Sequence, residues 1–379
     1  MSAIKIVADE NIPMLDPLFG PIGAITRLPG RSMTADQLMD ADVLLVRSVT
    51  QVSRELLQGT RVKFVGTATI GTDHIDQLAL QELGVQCSSA PGCNADAVVE
   101  YVLSALLHLA SEQSFSIFEK AVGIVGVGNV GSRLAARLGA LGITTLLCDP
   151  PRVDQDSNLS DQFASLTNLL EQADIVTLHT PLTHQAPHAT HHLLNEDTLS
   201  LLRPNAILIN AGRGPVIDNE ALIHFMKDRS DVTLVLDVWE NEPEVNLELA
   251  SCVRIATPHI AGYSLEGKIR GTWMLYEAYC QYSDIASSMS FDDLLPEPEV
   301  ISLTLSEQAA LLPVVKLLYD PYSDDRAFRA TLCKDSDEQK RLFDGLRKTY
   351  PVRREFSSLK LKVSDRQLAQ FSALGFSVL

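Results

Sequence analysis

Residues 121–149 place the tightest constraint on what this chain can fold into. The apolar run 121–125 reads as a buried strand, and the turn Gly126-Val127-Gly128-Asn129-Val130-Gly131 follows at once. Residues 132–141 then carry a helical pattern, 144–148 are apolar and strand-like, and Asp149 closes the second strand. Strand, glycine turn, helix, strand and acid, in that order, are the parts of a dinucleotide-binding βαβ unit. Gly126 permits the tight turn, Gly128 lets the backbone approach a pyrophosphate, and Gly131 lets the helix pack close to its strand. The unpaired N–H groups at the helix start would face the phosphates. A GxGxxG arises by chance in glycine-rich loops; Asp149, 18 residues past Gly131, sets this one apart.

A chain of 379 residues is too long for one core and calls for two or three domains. A hydrophobic share of 46% and a charged share of 21% are ordinary for a globular protein and exclude wholesale disorder. The net charge of −17, with no long basic patch to offset it, argues against a nucleic-acid partner. It also requires any anionic substrate to be drawn in locally, by arginines and helix N-termini. The cysteines Cys87, Cys93, Cys148, Cys252, Cys280 and Cys333 show no CxxC spacing, which favours free thiols in a reducing compartment over disulfides or zinc. The N-terminus, with Lys5, Asp9, Glu10 and Pro13, lacks the apolar core of a signal peptide. The most apolar helical stretch, 98–110, is interrupted by Glu100 and His108 and is too short to span a bilayer. The expectation is a cytoplasmic protein without a membrane partner.

Ahead of the glycine turn, short β-rich runs at 4–8, 43–46, 62–65 and 85–87 alternate with helix-compatible stretches such as 34–39 and 73–83. This alternation predicts a second parallel α/β sheet. Ligands sit beyond the carboxyl ends of such strands. The hydroxyl-rich segments Arg47-Ser48-Val49-Thr50 and 66–72 stand at two of these ends, read as following the second and third strands. Either alone would pass for a turn; their shared position points to a ligand site.

Residues 94–110 read as a long helix crossing into the nucleotide fold, and Pro150-Pro151 as the end of the strand at Asp149. Strands follow at 174–179, 206–210, 232–236 and 253–256, with helices at 166–172 and 219–227 and a long one at 264–283. Past Met289 the character changes: Pro296, Glu297, Pro298 and Glu299 suggest a linker. The unit of about eighty residues beyond it has apolar runs at 311–318 and 359–363. At that size it is marginal alone, so it reads as a dimerisation module.

Three strand ends of the nucleotide fold carry groups that could do chemistry. Arg213, between Gly212 and Gly214, could hold a carboxylate in bidentate fashion. In Trp239-Glu240-Asn241-Glu242-Pro243 either acid would ordinarily be a solvated side chain, and a single histidine such as His259 is ordinarily structural. As a set they make a reaction centre. A hydride leaves a carbinol carbon only if a base takes the hydroxyl proton, and histidine titrates in the right range. A carboxylate on the other ring nitrogen fixes the tautomer and stabilises the imidazolium. The crowded His184, His188, His191 and His192 have no carboxylate or cysteine partner at a fixed spacing, so no metal site is expected there.

These residues belong to motifs: GVGNVG, Leu178-His179-Thr180-Pro181-Leu182, NAGRG at 210–214, DVWENEP at 237–243 and TPHIAG at 257–262. Through them the chain resembles the D-isomer-specific 2-hydroxyacid dehydrogenases over residues 1 to about 285. VRSVT at 46–50, GTATIGTDHID at 66–76, Tyr263 after HIAG and the extra C-terminal unit resemble a subgroup acting on a phosphorylated hydroxy acid. The resemblance implies an NAD-dependent enzyme with Arg213, Glu242 and His259 as catalytic residues, His259 being the proton donor and acceptor. It implies cofactor contacts at Gly126, Gly128, Asn129, Val130, Gly131, Asp149, Thr180, Ala211, Gly212, Arg213, Asp237 and Gly262. Substrate contacts are implied at Ser48, Thr69 and Tyr263. The implied fold is α/β, with two doubly wound parallel-sheet domains and a small C-terminal α+β dimerisation domain. The flavodoxin-like substrate domain would take 1–95 and 264–288, the Rossmann NAD domain 96–263, and the dimerisation domain 289–379. The phosphate needs cations of its own, and Arg47, Arg353 and Arg354 are the candidates. Competing functions are a sister dehydrogenase acting on 3-phosphoglycerate or another D-2-hydroxy acid, and a non-catalytic NAD-sensing corepressor.

Overall fold

The computed structural model describes residues 4–297, 300, 302–333 and 335–379, so Pro298 and Glu299 of the expected linker lie outside the described residues. The chain forms two compact units, Met1–Asn94 with Ser264–Glu297, and Ala95–Tyr263 with Pro298–Leu379.

The first unit is built on a five-stranded parallel sheet: β1 (Ile4–Asp9), β2 (Gly23–Leu28), β3 (Val43–Val46), β4 (Phe64–Thr67) and β5 (Gln86–Ser88), in the order β2-β1-β3-β4-β5. Both faces are covered, so the strands read as unbroken apolar runs rather than alternating ones. Ile6, Ala8, Val43, Leu45 and Phe64 pack with Leu15, Phe19 and the returning helix Leu265–Tyr282. Val7, Leu44, Val46 and Val65 face Leu38, Leu56 and Leu80 on the other side. Strand β2 escapes the sequence reading because it is an edge strand, GAITRL, with no buried residue. The hydroxyl-rich segments therefore follow the third and fourth strands, not the second and third. The order reverses between β1 and β3, which puts Arg47 and Ser48 at the switch point.

The second unit carries the six parallel strands β6 (Ala121–Val125), β7 (Thr144–Cys148), β8 (Ile175–Leu178), β9 (Ile207–Asn210), β10 (Thr233–Leu236) and β11 (Ile255–Ala256). Their order is β11-β10-β9-β8-β6-β7, so the switch point falls between β6 and β8. The helix Ala95–Glu112 is buried for most of its length against this sheet. Pro150 and Pro151 do end the second strand, but they also start the short helix Pro150–Gln155, where a first-turn proline loses no hydrogen bond. Among the described residues no helix is long and apolar enough to cross a membrane.

The C-terminal residues add a small parallel sheet, β12 (Ser302–Thr304), β13 (Lys360–Lys362) and β14 (Ser377–Val378), in the order β12-β13-β14. Their apolar side chains do not form a separate core. Val314, Val315, Tyr319, Phe356, Leu361 and Phe371 join the cluster that holds Tyr101, Leu106 and Ile124. Helix Pro321–Arg329 runs beside the exposed edge at β11, where Asp325 accepts from Ala256 N–H at 2.8 Å. Arg329 donates to the Ala250 and Val253 carbonyls at 3.0 and 2.6 Å. An edge that would otherwise invite pairing is thereby covered.

Candidate active site

The glycine turn lies at the switch point of the second sheet. Gly126 adopts φ +87°, and a Cβ there would meet the His179–Thr180 backbone at 2.8 Å. A Cβ at Gly131 would lie 2.0 Å from the Gly126 carbonyl oxygen, so only glycine lets helix Asn129–Ala140 start this close to its strand. Above Gly128 nothing lies within 4 Å, which leaves the backbone approachable. Asn129 and Val130 open the helix. Asp149 stands past β7 and accepts from Val127 N–H at 2.7 Å, so it braces the turn from the side. Thr180 Oγ1 and His179 Nδ1 are buried with no partner, the state expected of groups that a ligand completes. These features fit a dinucleotide: an open glycine, free helix N–H groups, a strand-end carboxylate and an orphaned hydroxyl. Gly212 lies against the Leu178 and Thr180 carbonyls, which ties Ala211 and Gly212 to the same strand ends.

His179 carries a pH consequence. Its other nitrogen contacts Thr177 Oγ1 at 2.9 Å, and burial pulls its pKa down to about 4. Unfolded, the same imidazole takes its proton near 6.5. The unfolded state then binds more protons between those values, so stability rises with pH from about 4 to about 6.5 and is lost on acidification. The difference in urea midpoint between pH 7 and pH 5 should be smaller in His179→Gln than in the wild type; equal differences would count against it.

At the ends of β10 and β11 the chain assembles a histidine–carboxylate pair. His259 Nδ1 lies 2.7 Å from Glu242 Oε2, and Glu242 Oε1 accepts from Trp239 N–H at 2.9 Å. Burial works to raise the Glu242 carboxyl, but His259, the Trp239 N–H and Arg347 together hold it below the usual range. A fixed, ionised Glu242 favours the tautomer protonated on Nδ1, which leaves the lone pair on Nε2. His259 has φ +57°, a conformation most non-glycine residues avoid and one found at active sites that the surroundings over-determine. Those surroundings are supplied by Asp237. Its buried carboxylate accepts from Thr257 Oγ1 at 2.6 Å, Ile260 N–H at 2.8 Å and Ala261 N–H at 2.9 Å, and its carbonyl accepts from His259 N–H. Asp237 thus shapes the turn that presents His259, in addition to the cofactor contact expected of it. Gly262 and Tyr263 continue the same turn, with Tyr263 N–H donating to Ile260 O.

Arg213 stands at the end of the adjacent strand β9. Asn210 shapes its loop, donating from Nδ2 to Arg213 O at 3.0 Å and accepting from Gly212 N–H at 3.1 Å. Gly214 is pressed on the Trp239–Glu240 backbone, where a Cβ would lie 2.0 Å from Trp239 C. The β9 and β10 ends are therefore locked together, and the Arg213 guanidinium donates to Gly212 O at 3.0 Å. If Arg213 grips a carboxylate with its planar fork, Arg213→Lys should lose at least ten-fold in kcat/KM, because a point charge cannot replace it. Unchanged kinetics would remove it from the site.

In the other unit, Ser48 is exposed, while Thr69 sits in a hydroxyl chain with Thr67 Oγ1 at 2.7 Å, itself 2.9 Å from His74 Nε2. Lys268, from the helix Leu265–Tyr282, is a cation that the sequence reading passed over. Burial and the neighbouring Arg47 hold its ammonium below the usual lysine range. Arg353 falls away as a phosphate ligand. It is buried, donates to the Ala261 and Ala97 carbonyls at 2.9 and 2.6 Å, and stacks on Tyr319 at 3.7 Å. An arginine drawn from the C-terminal region for a cleft is instead part of the core. Arg347, which spacing alone did not mark, comes to the pair: Nε donates to Tyr263 Oη at 3.2 Å.

The crowded histidines do have carboxylates near them. His192 Nε2 is 2.5 Å from Glu240 Oε1 and Nδ1 is 3.5 Å from Asp218 Oδ2, with His191 stacked at 3.9 Å. His191, His192 and Glu240 hold ligand atoms within 4.8 Å of one another. The carboxylates come from distant strand and helix ends, so no local spacing could disclose them. Glu240 spends its other oxygen on Asn219 N–H at 3.1 Å, and the group is accounted for as a local ion pair.

A parallel sheet with a glycine turn at its switch point, and a histidine–carboxylate pair at the strand ends, fit the class of dinucleotide-dependent dehydrogenases. Residues 105–261 match the family model described as D-isomer specific 2-hydroxyacid dehydrogenase, NAD binding domain, and residues 294–375 match a domain of unknown function. The chain is 50% identical over 378 residues to the erythronate-4-phosphate dehydrogenase of Photorhabdus laumondii, covering 99% of each, and 48% identical over 367 residues to that of Pseudomonas aeruginosa, covering 96% of each. Among solved structures it is similar to a 3-phosphoglycerate dehydrogenase from Entamoeba histolytica (TM-score 0.64, 22% identity, 75% of this chain and 96% of that one). A D-lactate dehydrogenase from Aquifex aeolicus shares the fold likewise (TM-score 0.59, 24% identity, 74% and 95%). The chain belongs to the erythronate-4-phosphate dehydrogenase family.

Proposed function

We propose that the chain oxidises 4-phospho-D-erythronate at C2 to (R)-3-hydroxy-2-oxo-4-phosphooxybutanoate, with NAD as cofactor, in the biosynthesis of pyridoxal 5′-phosphate. NAD, when bound, supplies the hydride acceptor. Gly126, Gly128, Asn129, Val130, Gly131, Asp149, Thr180, Ala211, Gly212, Asp237 and Gly262 are the residues that would hold it. His259 Nε2 takes the C2 hydroxyl proton while the carbonyl forms, and Glu242 on Nδ1 steadies the imidazolium. Arg213 orients the substrate carboxylate. Ser48, Thr69 and Tyr263 are assigned to the substrate by resemblance; the substrate domain is read as residues 1–95 with 264–288 and the NAD domain as 96–263, with Tyr263 at its end. The observation that carries the reading is the 2.7 Å His259–Glu242 contact within a dinucleotide fold. Family membership directs it to this substrate. The test is a panel of 4-phospho-D-erythronate, 3-phosphoglycerate and D-lactate with NAD, followed by NADH absorbance. The first should be turned over best; preference for either of the others would reject the assignment.

The residues from 289 onward are proposed to join two copies into a homodimer. Val300, Leu317, Val352, Leu368 and Leu379 are large apolar side chains left 45–76% exposed there, and a second copy would cover those that lie at its interface. The solution mass should be twice the chain mass of 41.4 kDa, and a monomeric mass would reject this. All six cysteines are free, which supports a cytoplasmic location.

A further inference from the structure

Arg347 lies in the last turn of helix Ser336–Lys348, inside the segment matched by a domain without an assigned role. It nevertheless faces the reaction centre. Its Nε–H donates to Tyr263 Oη at 3.2 Å, and its guanidinium lies 5.8 Å from the Tyr263 ring and 5.9 Å from the Phe343 ring. Tyr263 is clamped in turn by Tyr350, ring to edge at 5.6 Å. Glu242, the partner of His259, is close enough for its charge to be felt at Arg347. Among the described residues no carboxylate forms an ion pair with this guanidinium, and its other N–H groups donate to no protein acceptor.

Glu242 and Asp344 favour the charge of Arg347 without a hydrogen bond to it, so a half-buried guanidinium fork keeps donors that a further anion can take. The proposed substrate has two anionic groups. Its carboxylate is assigned to Arg213, so the phosphate at C4, two carbons from the reacting C2, is the one still needing a cation. Of the two C-terminal arginines read from the sequence, Arg353 and Arg354, the first is already spent on backbone carbonyls. We propose that Arg347 binds the substrate phosphate, so that the C-terminal region selects the substrate as well as joining copies. The inference rests on the reading of the substrate given above. Chemically the site would take a phosphomonoester dianion, gripped by the guanidinium fork and flanked by the Tyr263 hydroxyl.

The test compares 4-phospho-D-erythronate with unphosphorylated D-erythronate in the wild type, Arg347→Ala and Arg347→Lys, using the full-length protein with NAD. Arg347→Ala should lose on the order of 10²-fold in kcat/KM with the phosphorylated substrate, mostly through KM, and a much smaller factor, carried by kcat through Glu242, with erythronate. Added guanidinium ion should restore the phosphorylated substrate alone. Arg347→Lys, which keeps the charge, should fall between the two and serves if the alanine variant folds poorly. Equal losses on both substrates would mean that Arg347 only positions Tyr263 or Glu242, and would overturn the proposal, as would no loss on either. A wild type that is indifferent to the phosphate would reject the substrate itself. A wild type that prefers it, beside an unaffected Arg347→Ala, would reject only Arg347.

Discussion

His259→Ala should lower kcat/KM by roughly 10²–10⁴-fold, the range for removing a general acid–base group. The loss should fall on kcat, because the imidazole acts on a proton that moves only as the reaction proceeds. NAD binding should survive, since the glycine turn that would hold the cofactor is shaped by Gly126, Gly131 and Asp149 and not by His259. Glu242→Gln probes the same unit from its other end. The amide removes the charge that His259 Nδ1 meets at 2.7 Å while leaving the Trp239 N–H contact a possible acceptor. If the two side chains act as one unit, as proposed, the double variant should be little worse than His259→Ala alone. Near-normal turnover in His259→Ala, measured with saturating NAD, would eliminate it as the base.

Arg353→Ala should unfold the second unit far more readily, by about 3–5 kcal/mol, the cost of removing one partner of a buried pair. Its partner Glu100 is fully buried, 3.8 Å away, and burial already pushes the Glu100 carboxyl well above the usual range while Arg353 pulls it back. Without the guanidinium, Glu100 keeps its Phe356 N–H at 2.8 Å but loses a balancing charge, and the Ala97 and Ala261 carbonyls lose their donor. The Ala261 carbonyl belongs to the turn that presents His259, so turnover should fall as well. Urea midpoints check the claim, and Arg353→Met with Glu100→Gln should recover much of the loss by removing both charges. A variant of full stability with only a raised KM would restore Arg353 as a substrate ligand and contradict the structure's account.

Much of this was legible in the residues, for reasons that differ from element to element. The βαβ unit could be read because three glycines and an acid at fixed spacing each answer to a backbone requirement, and the structure shows these requirements at Gly126 and Gly131. The pairing of His259 with Glu242 could be read from the chemistry of hydride transfer, whereas what spans the 17 residues between them is the parallel β10–β11 pairing that brings their loops together. Strand β2 is not legible because an exposed edge has no apolar run to betray it. Arginines in the C-terminal region were visible, but which of them would be buried was not. The helix Ser336–Lys348 ends with Arg347 toward Tyr263, whereas Arg353 falls where the chain dives under Ala97. The same holds for Glu240 and His192, whose contact spans 48 residues. Long-range meetings of polar side chains depend on topology, and spacing along a chain does not record it.

The most direct test of the central claim uses 4-phospho-D-erythronate deuterated at C2, with NAD and the wild-type protein. If C2 is the carbon oxidised, the NADH formed should carry one deuterium per turnover, and the rate should slow wherever the C–H bond is broken in the limiting step. The product should be the 2-oxo acid with its phosphate intact. Unlabelled NADH, or label retained in the product, would place the oxidation at another carbon and contradict the account.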